Sequence, residues 1–389
     1  MSAVLKVAIT GCGVIGRMHA VALQQFPEAD VVALIDTVPA AADSLADLME
    51  ESGRPKPSTH LTIGDALAAA DIDLVVLATP SGLHIQQALE VLGAGKHVVI
   101  EKPLDVDLSR AQEIEAAAKE AAGRGVFASV ISQHRFDRGS VAVANAVAKG
   151  RFGRLTSAIA SVAWWRGQGY YDSGDWRGKW AMDGGGALMN QGVHTVDLLL
   201  WFMGRPVEIH AHTALLAHER IEVEDTAVAT VTFENGGLAV LHATTAAYPG
   251  LTVRVQLMGS EGSAVLDNDQ LQYFHARDAG TASADMGLQG GGNQTIEELS
   301  KYPDEDYEAM DPTVYPGGHI RQYRDILDAI SEGRQPGVTI SDAVNALATV
   351  RAVYVSATLN QAVLFNEVLS GRYNDLEVRT GPSSTAGVS

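Results

Sequence analysis

The stretch LKVAITGCGVIGRMHAVAL, residues 5–23, decides the fold. A short apolar run with β-branched residues reads as a buried strand, and the helix-length segment after the turn reads as its crossover. Between them stand Gly11, Gly13 and Gly16. In a strand–turn–helix unit the first glycine permits a tight turn, the second lets backbone approach a pyrophosphate, and the third lets helix and strand pack closely. Val14 and Ile15 fall inside the same turn. The next apolar run, VVALI, ends in Asp36, twenty positions beyond Gly16, where a carboxylate meets the hydroxyls of an adenosine ribose. Thr37, Val38 and Pro39 follow, with no arginine to neutralise a 2′-phosphate, so the expected cofactor is NAD rather than NADP.

The same punctuation continues outward from this unit. DVVALID, DLVVLAT, KHVVIEK and GVFASVIS are separated by alanine-rich segments of helix length, which predicts a doubly wound parallel sheet. After Ser132 the grammar changes to longer strands of alternating character: RLTSAIASVAWW, VEIHAHTALL, TAVATVTF and LAVLHATT. Asn235-Gly236 between the last two is a hairpin signal. The expected fold is therefore α/β: a Rossmann domain over 1–130, then an α+β domain over 131–380 with a large, mostly antiparallel open sheet, and a disordered tail over 381–389. The glycine-rich segment 278–294 reads as a loop, and two helices are expected from HIRQYRDILDAISEG and ISDAVNALATVRAVYVSATL.

Composition narrows the partners. The chain has 389 residues, enough for two domains with sizeable cores, and a net charge of −19 that would repel a phosphate backbone, so nucleic acid is not an expected partner. The first strand pattern begins at Val4 and no apolar run approaches membrane-spanning length, so a cytoplasmic protein without membrane association is expected. Cys12, the single cysteine, rules out an internal disulfide and reads as a small filler in the turn. His210 and His212 share a strand face and read as exposed sheet residues; no required metal is expected.

Ligands of open α/β sheets lie beyond the carboxyl ends of the strands. Here those ends are Thr79-Pro80 and Glu101-Lys102-Pro103, the proline forbidding a continuing ladder bond and admitting a cis peptide. TPSGLHIQQALEVLGAGKHVVIEKPL around them, with GRFGRL, DGGGALMNQGVHTVDLLLW and HIRQYRDILDAISEGR, resembles the glucose-fructose oxidoreductase, inositol dehydrogenase and rhizopine catabolism family, Gfo/Idh/MocA. The resemblance covers nearly the whole chain. It implies a cofactor site lined by Gly11, Gly13, Val14, Ile15, Gly16, Asp36, Thr79, Pro80, His84 and Glu101, with Lys102 reaching the reacting oxygen. It also implies a homo-oligomer, a dimer or tetramer, formed through the open sheet.

In the glycine-rich stretch, Asn190 and His194 stand four apart on one helical face, and the resemblance places His194 near the oxygen that loses its proton. Many members of the family carry aspartate where Asn190 stands; an amide holds a hydroxyl but exchanges no proton. The proton then passes to Lys102 or His194. Imidazole titrates near pH ~6.5 and an unperturbed lysine near ~10.4, so His194 is assigned the base and Lys102 the cation beside the developing alkoxide. WWRGQGYYDSGDWRGKW, residues 164–180, groups aromatic faces suited to a sugar ring, with Arg166, Asp172 or Arg177 taking its hydroxyls. From it Trp165 and Tyr171 are expected at the substrate, and Trp176 and Arg177 near nicotinamide. Gln133 and Arg135, after the sixth expected strand, are placed in the domain cleft as substrate contacts.

The combined expectation is an NAD-dependent dehydrogenase oxidising a ring secondary alcohol of a sugar, a levoglucosan-like anhydrosugar (to the 3-keto sugar) or a cyclitol. The region from Tyr170 to Leu199 resembles pyranoside 3-dehydrogenases more than typical inositol dehydrogenases. Three alternatives stay open at this point: an inositol dehydrogenase, a redox-neutral NAD-dependent glycosidase, and a dinucleotide-binding sensor.

Overall fold

The opening strand, β1 (Leu5–Thr10), sits at the centre of a six-stranded sheet because Val7, Ala8 and Ile9 have no polar side chain and are fully buried. Its companions are β2 (Ala29–Ile35), β3 (Ser58–His60), β4 (Leu74–Leu77), β5 (His97–Ile100) and β6 (Ala128–Val130). They run in the order β3-β2-β1-β4-β5-β6, and every pairing is parallel. Chain order reverses between β1 and β4, which makes the ends of those strands the topological switch point. A computed structural model describes residues 4–174, 177–277, 292–303 and 317–381. Trp176, residues 278–291 of the expected loop and 382–389 of the expected tail lie outside the described residues.

The chain divides into two compact units, Met1–Gln133 with Glu305–Val344, and His134–Asp304 with Asn345–Ser389. A linear boundary near residue 130 did not provide for the return of a late helix to the first unit. Its cause is packing: Ile320, Tyr323, Ile326 and Leu327 of helix Gly317–Glu332 bury in one cluster with Val7, Ile9, Ala20, Leu23 and Phe26.

The second unit is built on eight strands: β7 (Leu155–Ala163), β8 (Pro206–Ala214), β9 (Thr226–Phe233), β10 (Leu238–Thr244), β11 (Val253–Gly259), β12 (Gly262–Asp267), β13 (Gln270–Ala276) and β14 (Val363–Leu364). Their order is β13-β12-β11-β7-β10-β9-β8-β14, antiparallel except for the β7/β10 pair. The expected hairpin joins β9 to β10, with Gly236 at φ 81° in the turn. The strands alternate through their middles: Ala158, Ala160, Ala229, Val231, Leu241 and Ala243 are buried, while Ile159, Val228, Val240, His210 and His212 face outward. The small residues of the inner face let the helix Val193–Met203 lie close against the sheet. No helix among the described residues is long and apolar enough to cross a membrane.

Candidate functional site

The first half of the site is the glycine turn. Gly11 has φ 89°, and a side chain there would place a Cβ 2.5 Å from the Ala78 carbonyl oxygen. A Cβ on Gly16 would lie 1.9 Å from the Gly11 oxygen, so helix and turn touch backbone to backbone. At Gly13 a Cβ would meet nothing within 4 Å: the turn holds that position open to a cavity of about 570 Å³. Gly11, Gly13, Asp36, Thr79, Pro80 and Leu83 line this cavity. Val14 and Ile15 begin the helix with their side chains exposed. Asp36 is oriented by two backbone donors, Cys12 N–H to Oδ2 and Val38 N–H to Oδ1, each 2.8 Å. A glycine cradle at a helix N-terminus with a fixed carboxylate about one βα unit away fits a dinucleotide. Burial pushes the Cys12 thiol up to about 12, reinforced by the Asp36 charge, as suits an inert filler.

At the end of β5 the charges are arranged differently from the expected cofactor lining. Glu101 is buried beneath the strand end rather than facing the cavity. Its Oε1 lies 3.1 Å from His19 Nε2 and 3.3 Å from His319 Nε2, and its Oε2 accepts the Lys102 N–H at 2.9 Å. Tyr323 OH is 2.7 Å from His19 Nδ1, so a neutral His19 accepts from the phenol and donates to the carboxylate. Burial alone would raise Glu101; the two imidazoles outweigh it and hold the carboxyl well below its ordinary range. Burial likewise lowers His19, in keeping with its neutral form.

His84 also departs from the expected lining. It is buried, with Nδ1 and Nε2 each 2.9 Å from a carbonyl oxygen, those of Pro103 and Thr79, and so clips the ends of β4 and β5 together. The Lys102–Pro103 peptide is cis. Among the described residues the buried Gln133 Oε1 has no donor.

In the second unit, Leu188–Gly192 forms a π-helical turn that leads into the helix Val193–Met203. A continuous α-helix was expected; the wider turn carries Asn190 and Gln191 at the point where the backbone changes pitch. Asn190 Nδ2 donates to the Gly185 oxygen at 3.1 Å. Beneath this turn Glu224 Oε2 and Oε1 accept the N–H groups of Gly186 and Leu188, both at 2.9 Å, and Oε1 accepts Tyr354 OH at 3.0 Å. Burial pushes Glu224 up to about 7 in spite of these donors. Gly186 is required here, since a Cβ would stand 1.7 Å from the Glu224 carbonyl oxygen.

His194 meets the ring of His134 edge to face, centroids 5.1 Å apart, and His134 Nδ1 lies 2.8 Å from Asp137 and 3.3 Å from Asp269. Arg135, expected at the substrate, is instead 5% exposed and grips Asp197 with Nε at 2.7 Å and Nη2 at 2.6 Å. It fastens the 133–136 turn to the helix that carries His194.

Tyr171, also expected at the substrate, is 6% exposed, its hydroxyl pairs with Thr245 at 2.7 Å, and burial pushes it up to about 12. Tyr170 is the half-exposed ring of the pair. Trp165 is half-buried between His218 and Tyr248, and Arg177 stacks on Tyr170 at 4.4 Å. Among the described residues two trios, His19/Glu101/His319 and His134/Asp137/Asp269, bring possible ligand atoms within 4.8 Å of one another; each is knit by direct imidazole–carboxylate contacts. Neither trio nor Glu224 was assigned from sequence, because each brings together at least one residue distant along the chain: His19 and His319 on Glu101, Asp269 on His134, and Tyr354 on Glu224. The run Glu222-Val223-Glu224-Asp225 entering an apolar strand was the one available signal.

The family model described as an oxidoreductase family with an NAD-binding Rossmann fold matches residues 5–129, and the GFO/IDH/MocA C-terminal domain matches residues 140–265. The 1,5-anhydro-D-fructose reductase of Ensifer adhaerens is 29% identical over 360 residues, 91% of this chain and 96% of that protein. The inositol 2-dehydrogenase of Rhizobium meliloti is 27% identical over 270 residues, 68% of this chain and 76% of the relative. The crystal structure of the WlbA dehydrogenase from Bordetella pertussis, in complex with NADH and UDP-GlcNAcA, is 31% identical with a TM-score of 0.78, covering 94% of this chain and 98% of that one.

Proposed function

Because this chain belongs to the GFO/IDH/MocA oxidoreductase family and has its NAD-binding Rossmann domain, we propose that it oxidises a ring secondary alcohol of a sugar, anhydrosugar or cyclitol. The observation that carries the reading is Lys102, set at the strand end beside the switch point by the Glu101 cluster on one side and the His84 clip on the other. The relatives that act on anhydrofructose and inositol support the substrate class.

NAD, when bound, supplies the acceptor for the carbon-bound hydrogen and its electron pair. The protein's own work is orientation and proton handling. Lys102 donates a charge-assisted hydrogen bond to the alcohol oxygen and stabilises the alkoxide as it forms. His194 takes the hydroxyl proton, with His134 and Asp137 fixing its ring. Asn190 holds a neighbouring hydroxyl, Gln133 offers a buried acceptor, and Trp165 offers a ring face. A levoglucosan-like anhydrosugar is the finer proposal within this class, and a homo-oligomer acting in the cytoplasm is its setting.

The test is near-ultraviolet absorbance of purified protein with NAD, and separately NADP, against levoglucosan, glucose, glucuronate, glucose 6-phosphate, other pyranosides and inositols. NADH formation with one class, and far less with NADP, is the expected result. No NADH from any of them, with NAD binding demonstrated, would overturn the reading in favour of a redox-neutral glycosidase or a sensor.

A further inference from the structure

Arg166 stands at the end of the Trp164-Trp165-Arg166 run, just past β7. Its backbone is fixed at both ends: N–H donates to Thr245 O at 2.9 Å, and its carbonyl accepts from His218 Nε2 at 2.7 Å. The guanidinium lies 5.2 Å from the Trp164 ring centroid and 5.1 Å from that of Tyr170. Among the described residues the buried Nε has no hydrogen-bond partner, and no carboxylate pairs with this side chain. Nearby acids are engaged elsewhere: Asp172 holds Arg220 at 2.8 Å, and Asp225 holds His218 at 2.9 Å. Arg177 places a second guanidinium 4.4 Å from the centre of the Tyr170 ring. The Tyr170 hydroxyl in turn accepts from Gln191, the neighbour of Asn190 in the π turn, at 3.3 Å.

A half-buried guanidinium with an orphaned donor is costly unless a counter-charge arrives, and its planar fork matches a carboxylate or phosphate. A sugar hydroxyl would satisfy a donor but leave the charge uncompensated. Aromatic faces on either side hold the fork in place without neutralising it. We propose that Arg166 binds an anionic substituent of the substrate, a carboxylate or a phosphate on the ring that is oxidised. The inference rests on the sugar-oxidation reading above and narrows its substrate class to acidic sugars or cyclitols, in place of a neutral levoglucosan-like anhydrosugar.

Equilibrium binding to the NAD-loaded protein tests it without requiring turnover. Glucuronate carries the carboxylate, glucose 6-phosphate the phosphate, and glucose neither. One of the two acids is expected to bind roughly tenfold or more tightly than glucose, the difference a charge-assisted contact supplies. Arg166→Gln should abolish that preference and Arg166→Lys should restore part of it, with circular dichroism confirming that both variants fold. Equal binding of all three ligands, no binding of any, or an acid preference that survives in Arg166→Gln overturns the proposal. NADH production from neutral sugars together with indifference to the acids would sink the anion site and leave the dehydrogenase intact. An Arg166-dependent acid preference with no NADH from any ligand would do the reverse.

Discussion

At the residue scale the account turns on Lys102 and Asp36. Lys102→Met removes the donor to the forming alkoxide without touching the glycine cradle, so NADH formation should fall by about 10²- to 10⁴-fold. NAD affinity, followed by quenching of protein fluorescence, should stay nearly unchanged; a parallel loss of NAD binding would make Lys102 a cofactor residue instead. Asp36 both faces the cavity and braces the turn through Cys12 N–H and Val38 N–H. Asp36→Ala should therefore raise the Kd for NAD by roughly tenfold or more and narrow the gap to NADP. An unchanged NAD affinity would remove the ribose assignment. Both were assigned from the sequence because the chemistry expected of them depends on local spacing. The surroundings of Glu101 were not, since His19 lies 82 residues away and His319 218 residues away. Arg135 illustrates the same limit: its partner Asp197 is 62 residues distant, so the side chain looked available for substrate when it is committed to the fold.

At the element scale the π turn at Leu188–Gly192 and the carboxylate under it form one unit. An α-turn and a π-turn share the same apolar pattern over five residues, which is why the sequence reads simply as a helix start. Glu224 gives this unit a pH dependence whose sign follows from its raised pKa. Between about pH 4.5 and about 7 the folded carboxyl keeps a proton that the unfolded chain has released, so the stability falls as pH rises across that window and is level above it. The drop is about 3 kcal/mol at most. Glu224→Gln should flatten that slope in urea melts run between pH 4.5 and 7.5, whatever its own stability; an identical slope in the variant would show that another group is responsible. The β-strands, by contrast, were legible from periodicity alone: the clean alternation of β9 and β10 follows from a sheet with one buried face, and the continuous apolar runs of β1 and β4 from a sheet covered on both.

At the scale of the whole molecule, the first unit is not a contiguous piece of chain. Ile320, Tyr323 and Ile326 complete the core begun by Val7, Ile9 and Leu23, and Tyr323 also supplies the hydroxyl that His19 accepts. A fragment ending at residue 133 should accordingly melt without cooperativity and bind a hydrophobic dye, whereas the full chain should not. A cooperative melt of that fragment would show the late helix to be dispensable. The parallel sheet and the change to antiparallel pairing were readable from the alternation of elements; the return of a late helix to the first unit was not, because an amphipathic helix records that it must pack and not against what.

The central claim is that the carbon-bound hydrogen of a ring alcohol ends on NADH. Its most direct measurement uses the sugar or cyclitol that responds in the absorbance assay, deuterated at its ring carbinol positions, with mass spectrometry of the nucleotide after a single turnover. Deuterium in NADH at one equivalent per oxidised ring, together with the keto product, is the predicted result. Unlabelled nucleotide and a substrate that is cleaved or unchanged with its deuterium retained would contradict it.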